Sequence, residues 1–257
     1  MAAEDTREIF LPILSVIDLT SLEGTDSDET IRVLCRKAIH FGELGLPVPA
    51  AVCVFSPFIS TARRELSGSG INIATVAGGF PHGQIPLQAK LEEVSFALDQ
   101  GSDEIDIVFS RGTFLSGNYQ QVFDEIALVR EYCQASTLKV ILETGELRSP
   151  ELIAKASDLA LQAGADFIKT STGKIPEGAT EEGVKIIIDQ IRRFYECTGV
   201  KRGIKPAGGI SEPEQALAFY QLVAATLGKE WLSKERFRLG ASRLAGKLAD
   251  KILLESE

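Results

Sequence analysis

Histidine and cysteine are scarce in this sequence. The two histidines, His40 and His82, and the four cysteines, Cys35, Cys53, Cys133 and Cys197, are scattered and include no CxxC pair. A His/Cys metal site is therefore not expected, and the thiols read as reduced groups of a cytoplasmic protein. No apolar run reaches the roughly 18 residues that mark a membrane span. The opening stretch, MAAEDTREIF, is acidic and has no apolar segment, so a secretory signal is not expected. Positive charge is also in deficit. The 27 Lys and Arg face 36 Asp and Glu, for a formal net charge of −9, which argues against a general affinity for nucleic acid or anionic lipid. A small anionic substrate stays possible, because a pocket can be locally positive. Linkers, low-complexity tracts and shifts of composition are missing too, so residues 1–257 are expected to form one domain.

What is present is a regular alternation. Short β-branched or apolar runs, predicted as strands, occur at Ile13–Thr20, Ala50–Ser56, Asn72–Gly78, Glu104–Phe109, Leu138–Thr144, Asp166–Thr172, Gly203–Gly209 and Phe237–Ser242. The segments between them carry helix signals. In SPELIAKASDLALQAG, Ser149 is the expected N-cap, Pro150 the first helical residue and Gly164 the stop. A helix from Thr180 has acids in its first turn and apolar residues at helical spacing. Another is expected to open with a capping box of Ser211 and Glu214. Eight strands, each followed by helix, predict a (β/α)₈ TIM barrel. A doubly wound open sheet is the alternative, but the GxGxxG turn it often carries after the first strand is absent. Glu4 to Leu11 is expected as an extra helix over the barrel bottom.

Four polar residues interrupt the apolar runs: Asp18 in VIDLT, Asp106 in EIDIVF, Lys169 in FIKTST and Lys205 in GIKPAGG. The two-residue period puts Asp18 with Val16 and Thr20, Asp106 with Glu104 and Val108, and Lys169 with Phe167 and Ser171. If those faces line the barrel, two carboxylates and two lysines converge near its C-terminal mouth, where such barrels keep their chemistry. The alternative is that any one of them points outward or ends a strand in solvent. Lys169 and Lys205 fall on consecutive strands, and strands lie about 4.8 Å apart. Two ammoniums that close, partly desolvated, lower each other's proton affinity. One then becomes a neutral amine able to form a Schiff base with a carbonyl, with a carboxylate such as Asp106 to relay protons.

Three Gly- and hydroxyl-rich turns follow the last three strands: STGK, GGIS and GAS. Backbone N–H groups at such turns bind phosphate, although any one of them is also ordinary turn chemistry. TGK lacks the upstream glycine of a Walker A motif.

EIDIVF, LKVILETGEL, AGADFIKTSTGK, GIKPAGGI and FRLGAS, with VIDLT, AAVCVF and GGFPHG in order before or among them, resemble the signature segments of the deoxyribose-phosphate aldolase family. The resemblance runs from about Leu14 to Ala249. It implies a class I aldolase on a TIM barrel, reversibly cleaving 2-deoxy-D-ribose 5-phosphate to D-glyceraldehyde 3-phosphate and acetaldehyde, in deoxyribonucleoside catabolism, without metal or organic cofactor. It implies Lys169 as the Schiff-base lysine, Lys205 as its perturbing partner, Asp106 as acid/base and Asp18 as supporting carboxylate. Gly173, Lys174, Gly208, Gly209 and Ser242 fall where the family holds phosphate, and Cys53 where some members carry a cysteine near the substrate. A small phosphorylated sugar is the implied partner, and a homodimer the implied assembly. GASR stands where many members have a second hydroxyl, so Arg243 either adds a phosphate contact or points outward. The end, LLESE, lacks the tyrosine some relatives carry in a tail, so water or another group is expected to serve there. A barrel isomerase, a transaldolase and a non-catalytic sugar-phosphate binder are the competing readings.

Overall fold

The computed structural model describes residues 3–254. Its eight strands are β1 (Ile17–Thr20), β2 (Ala51–Phe55), β3 (Asn72–Ala77), β4 (Glu104–Val108), β5 (Thr137–Ile141), β6 (Phe167–Lys169), β7 (Gly203–Lys205) and β8 (Leu239–Ala241). All pairings are parallel, in the order β7-β6-β5-β4-β3-β2-β1-β8. The barrel closes between β7 and β8 through Ile204 N to Arg236 O (2.9 Å), Arg238 N to Ile204 O (3.0 Å) and Gly240 N to Pro206 O (2.9 Å). Every strand is followed by at least one helix. This is the TIM barrel read from the alternation of strand and helix signals.

The helices end where local chemistry predicts, with two corrections. Ser149 Oγ accepts from Leu152 N (3.2 Å), with Pro150 at the first helical position, and Thr180 Oγ1 accepts from Gly183 N (3.0 Å). The expected box at Ser211 sits one residue later: Glu212 is the N-cap of Pro213–Leu227, and Gln215 Oε1 accepts from its backbone N (3.1 Å). A proline at the first helical position fixes the cap just before it, which the Ser211–Glu214 spacing overlooked. The N-terminal helix spans Ala3–Ser15 and takes Ile13–Ser15 out of the expected first strand. There Phe10, Ile13 and Leu14 are buried at helical spacing, and the helix packs on Pro213–Leu227 and Leu244–Leu254. Glu255 to Glu257, and with them the end of LLESE, lie outside the described residues. Among the described residues no helix is long and apolar enough to cross a membrane.

The main core fills the space between barrel and helices. Inside the barrel the filling is divided. On the β2–β3 side it is small and apolar, with Ala51, Cys53, Ala74 and Val76 packed together under Leu22. On the side of β1 and β4 to β8 it is charged.

Candidate active site

Register decides which polar side chains meet. Lys169 on β6 pairs directly with Lys205 on β7, and Asp106 on β4 with Lys139 on β5. All four side chains point into the barrel and meet at one carboxylate. Lys139 Nζ donates to Asp106 Oδ1 (2.7 Å), while Lys169 Nζ (2.8 Å) and Lys205 Nζ (2.7 Å) both donate to Oδ2. Lys205 is also ion-paired with Asp18. Arg238, one residue before β8, donates to Asp18 Oδ1 (2.6 Å) and, through both terminal nitrogens, to Glu104 (3.2 and 2.7 Å). Glu104 in turn lies 2.6 Å from Lys139 Nζ. The four residues that interrupted the apolar runs are thus brought together, and none of them faces solvent.

The network also contains members that were not singled out in the sequence. Lys139 is the second residue of LKVILET and lies mid-strand in β5, level with Asp106. Its two-residue period with Ile141 and Glu143 was the available signal. Arg238 is the second residue of FRLGAS. Glu104 shares the face of Asp106 in the strand pattern, which by itself gives it no task.

The charges form a nearly closed set. Asp18, Glu104 and Asp106 are the anions; Lys139, Lys169, Lys205 and Arg238 are the cations. With every group ionised there is one cation too many, and a buried, unbalanced charge is costly. Burial would raise the carboxyl pKa of Asp106, but the ammoniums of Lys139, Lys169 and Lys205 outweigh it and hold the group well below the carboxylate range. Asp18 is likewise pulled up by burial and held down more strongly by Lys205, Arg238 and Lys139. Burial depresses Lys205, yet its two carboxylate partners, Asp106 and Asp18, raise it overall. Burial also works against the ammonium of Lys139, which Asp106 and Glu104 hold in place. Lys169 alone among the four cations moves down. Burial is the largest cause, and the ammonium of Lys205 adds to it against the pull of Asp106. Lys169 is therefore the cation whose proton is held least firmly, and its loss would leave three cations facing three anions.

Lys169 is also the one member of the network that lines the cavity above it. That cavity, about 310 Å³, opens at the C-terminal mouth between the loops after β1, β6, β7 and β8. Lys174, Gly173, Gly208, Gly209, Ser242 and Arg243 all border it. Lys174 is not unopposed there: its Nζ donates to Glu23 Oε1 (3.3 Å). Cys53 is fully buried below, and burial raises its thiol pKa, so it stays a packed thiol.

The glycine turns are held by contacts that are not visible as motifs. The Glu143 carboxylate accepts from Thr172 N (3.1 Å) and from the Thr172 hydroxyl, and Thr172 Oγ1 accepts from Lys174 N (3.1 Å). Glu143 does this from a left-handed backbone, φ 55°, a conformation a non-glycine residue holds only where its surroundings enforce it. Thr170 Oγ1 joins the next loop, donating to Ala207 O (3.1 Å) and accepting from Ala207 N (3.0 Å). Gly208, at φ 82°, is crossed so closely by Gly178 that a Cβ there would stand 2.2 Å from Gly208 O.

Fold and site define a class: a TIM barrel with a buried lysine–carboxylate network feeding one lysine into a glycine-rich cavity. The chain belongs to the DeoC/LacD aldolase family, whose model matches residues 13–228. It is 41% identical over 255 residues to a deoxyribose-phosphate aldolase of Homo sapiens, covering 94% of this chain and 80% of that protein. The Mus musculus protein of the same name is 40% identical over the same shares. Among solved structures, a tetrameric deoxyribose phosphate aldolase from Aeropyrum pernix superposes with TM-score 0.74 at 26% identity, over 98% of this chain and 99% of that one. An aldolase designated QR15 superposes with TM-score 0.79 at 27% identity, over 95% and 97%.

Proposed function

We propose that this protein is a 2-deoxy-D-ribose-5-phosphate aldolase that works through a Schiff base on Lys169. The observation that carries the proposal is that Lys169 alone combines a lowered pKa with a place on the cavity wall. Its neutral amine adds to the C1 aldehyde of the open-chain sugar. Loss of water from the carbinolamine leaves an iminium cation on Nζ. The C2–C3 bond then breaks as the C3 hydroxyl gives up its proton. The bonding pair moves to the iminium, giving glyceraldehyde 3-phosphate and an enamine. Protonation of the enamine at C2 and hydrolysis release acetaldehyde and the free lysine.

The charge set favours the middle of this sequence. An iminium restores the fourth cation that the network lacks an anion for, and the enamine removes it again. The preorganised field therefore stabilises the electron-accepting step, with no reorganisation at the moment of reaction. Asp106 is the nearest carboxylate to the reacting nitrogen, and with Lys205 it forms the route for protons.

The cavity mouth supports a phosphate at the far end of the substrate, held by N–H groups of the Gly173, Gly208 and Gly209 turns with Ser242 and Lys174. Gly178→Ala tests this placement. Its Cβ would collide with the Gly208 carbonyl, so the turn has to move. Activity on the phosphorylated sugar is expected to fall roughly 10- to 100-fold in kcat/KM, since sub-ångström placement matters at this range. Unchanged KM would remove the Gly208 turn from the phosphate site. Four free cysteines and the family of the chain support a cytoplasmic enzyme. The same proposal includes a homodimer of the 27.8 kDa chain, which sedimentation reads directly.

The decisive experiment is trapping. The protein is mixed with acetaldehyde or 2-deoxyribose 5-phosphate, reduced with borohydride and mapped by peptide mass. An adduct on Lys169 is expected. An adduct on Lys205 would reverse the roles of the two lysines, and none on folded protein would end the imine mechanism.

A further inference from the structure

We propose that Glu23 is a resident counter-anion of the cavity mouth and sets how strongly the site prefers a phosphorylated sugar over an uncharged one. The inference rests on the phosphate reading above and assigns a residue that reading does not use. Glu23 belongs to the loop between β1 and the helix Asp28–Glu43, lines the same cavity as Lys174, and accepts from its Nζ at 3.3 Å.

The backbone on both sides of this contact is fixed. Asp26 Oδ2 accepts from Glu23 N (2.9 Å), Asp26 Oδ1 accepts from Ser21 Oγ (2.8 Å), and Ser21 N donates to Cys53 O of β2 (3.0 Å). Lys174 N is held by Thr172 Oγ1 (3.1 Å). Only the two side chains are left to exchange partners. The Glu23 side chain is 69% exposed, and Lys174 is its one ion-pair partner among the described residues.

Such a contact adds little to stability, because exposed ion pairs are weak. Its consequence is for ligands. A phosphate dianion that reaches Lys174 must first displace the Glu23 carboxylate and then remain near it. An uncharged sugar meets neither obstacle. Arg243 borders the same mouth and has no ion pair among the described residues, so besides Lys169 the mouth carries two cations with one of them already occupied. Glu23 therefore weakens phosphate binding and speeds release of a phosphorylated product.

The test is calorimetric titration of inorganic phosphate into the wild-type protein and Glu23→Gln, at low and at high ionic strength. The variant is expected to bind phosphate about two- to fivefold more tightly at low salt, with the gap closing as salt screens the charges. KM for 2-deoxyribose 5-phosphate falls in the same ratio, and the preference in kcat/KM over 2-deoxyribose rises. Equal phosphate affinity at low salt would make Glu23 a solvated bystander and overturn the inference. Weaker binding in the variant would overturn it as well, because Glu23 would then be holding Lys174 in place for the ligand. Failure of the wild type to bind phosphate would remove the phosphate site itself and this role with it. Tighter phosphate binding in a protein that does not cleave the sugar would sustain Glu23 and sink the aldolase reading alone.

Discussion

Lys169→Met loses cleavage of 2-deoxyribose 5-phosphate by about four orders of magnitude or more and still folds. The proposed nucleophile is gone, and no other amine of the network borders the cavity: Lys139 and Lys205 lie beneath it, fully buried and held as ammoniums by their carboxylates. The fold survives for the reason the wild type is reactive. Lys169 is the cation without a matching anion, so an uncharged side chain of similar length leaves Asp106 paired with Lys139 and Lys205 and the charge set closed. Removing Lys169 gives up its 2.8 Å contact with Asp106 but leaves that carboxylate two ammoniums, and melting is expected within a few degrees of wild type by calorimetry. Lys169→Ala gives the same loss of turnover, with a further drop in stability from the space it empties. Turnover of Lys169→Met within tenfold of wild type would move the nucleophile elsewhere. A collapse of the fold in both variants would mean that Lys169 is a structural ammonium, contradicting the charge argument.

Much of this arrangement is legible in the sequence. The alternation of β-branched runs with capped helices is a local property, and it placed all eight strands. The first was misjudged at its start because ILS is apolar and β-branched enough to pass for strand, although Phe10, Ile13 and Leu14 repeat at helical spacing. Lysines and carboxylates inside apolar runs are conspicuous for a physical reason, since burial penalises them unless they meet. That identified Asp18, Asp106, Lys169 and Lys205. Lys139 and Arg238 are less conspicuous because neither stands at a strand end facing the mouth: Lys139 is mid-strand in Thr137–Ile141, and Arg238 just precedes Leu239–Ala241. Their tasks depend on the registers of β4 with β5 and of β1 with β8, which pairing across the barrel decides and no single segment contains. Contacts such as Glu143 to Thr172 and Glu23 to Lys174 are still less local. The latter joins residues 151 positions apart, through side chains that either could have turned to solvent.

Lys205→Leu is expected to lower kcat by roughly 10²- to 10³-fold and to shift the acidic limb of its pH profile upward. The substitution removes one cation from the set of Asp18, Glu104 and Asp106 against Lys139, Lys169, Lys205 and Arg238. Balance is then reached only if Lys169 keeps its proton. In the wild type, burial and the Lys205 ammonium together lower the Lys169 pKa, so the neutral amine is present at lower pH and is lost as pH falls through that lowered value. Without Lys205, the second of those causes is gone and Asp106 Oδ2 has Lys169 as its sole remaining ammonium. The pKa rises, and the pH at which the amine becomes neutral rises with it. Rate is therefore expected to recover partly in alkaline buffer, but not fully, because the proposed proton route through Lys205 is also missing. Breaking a buried pair by deleting one partner costs about 3–5 kcal/mol, and protonated Lys169 offsets part of this by taking over Asp106. Asp18 keeps Arg238 on Oδ1 (2.6 Å), but its Oδ2 is left with Lys139 alone, 3.7 Å away. The measurement is the pH dependence of kcat/KM together with the pH dependence of borohydride trapping at Lys169, which follows the amine without requiring turnover. A trapping profile that does not move when Lys205 is removed would refute the electrostatic coupling of the two lysines and leave Lys205 a proton carrier only.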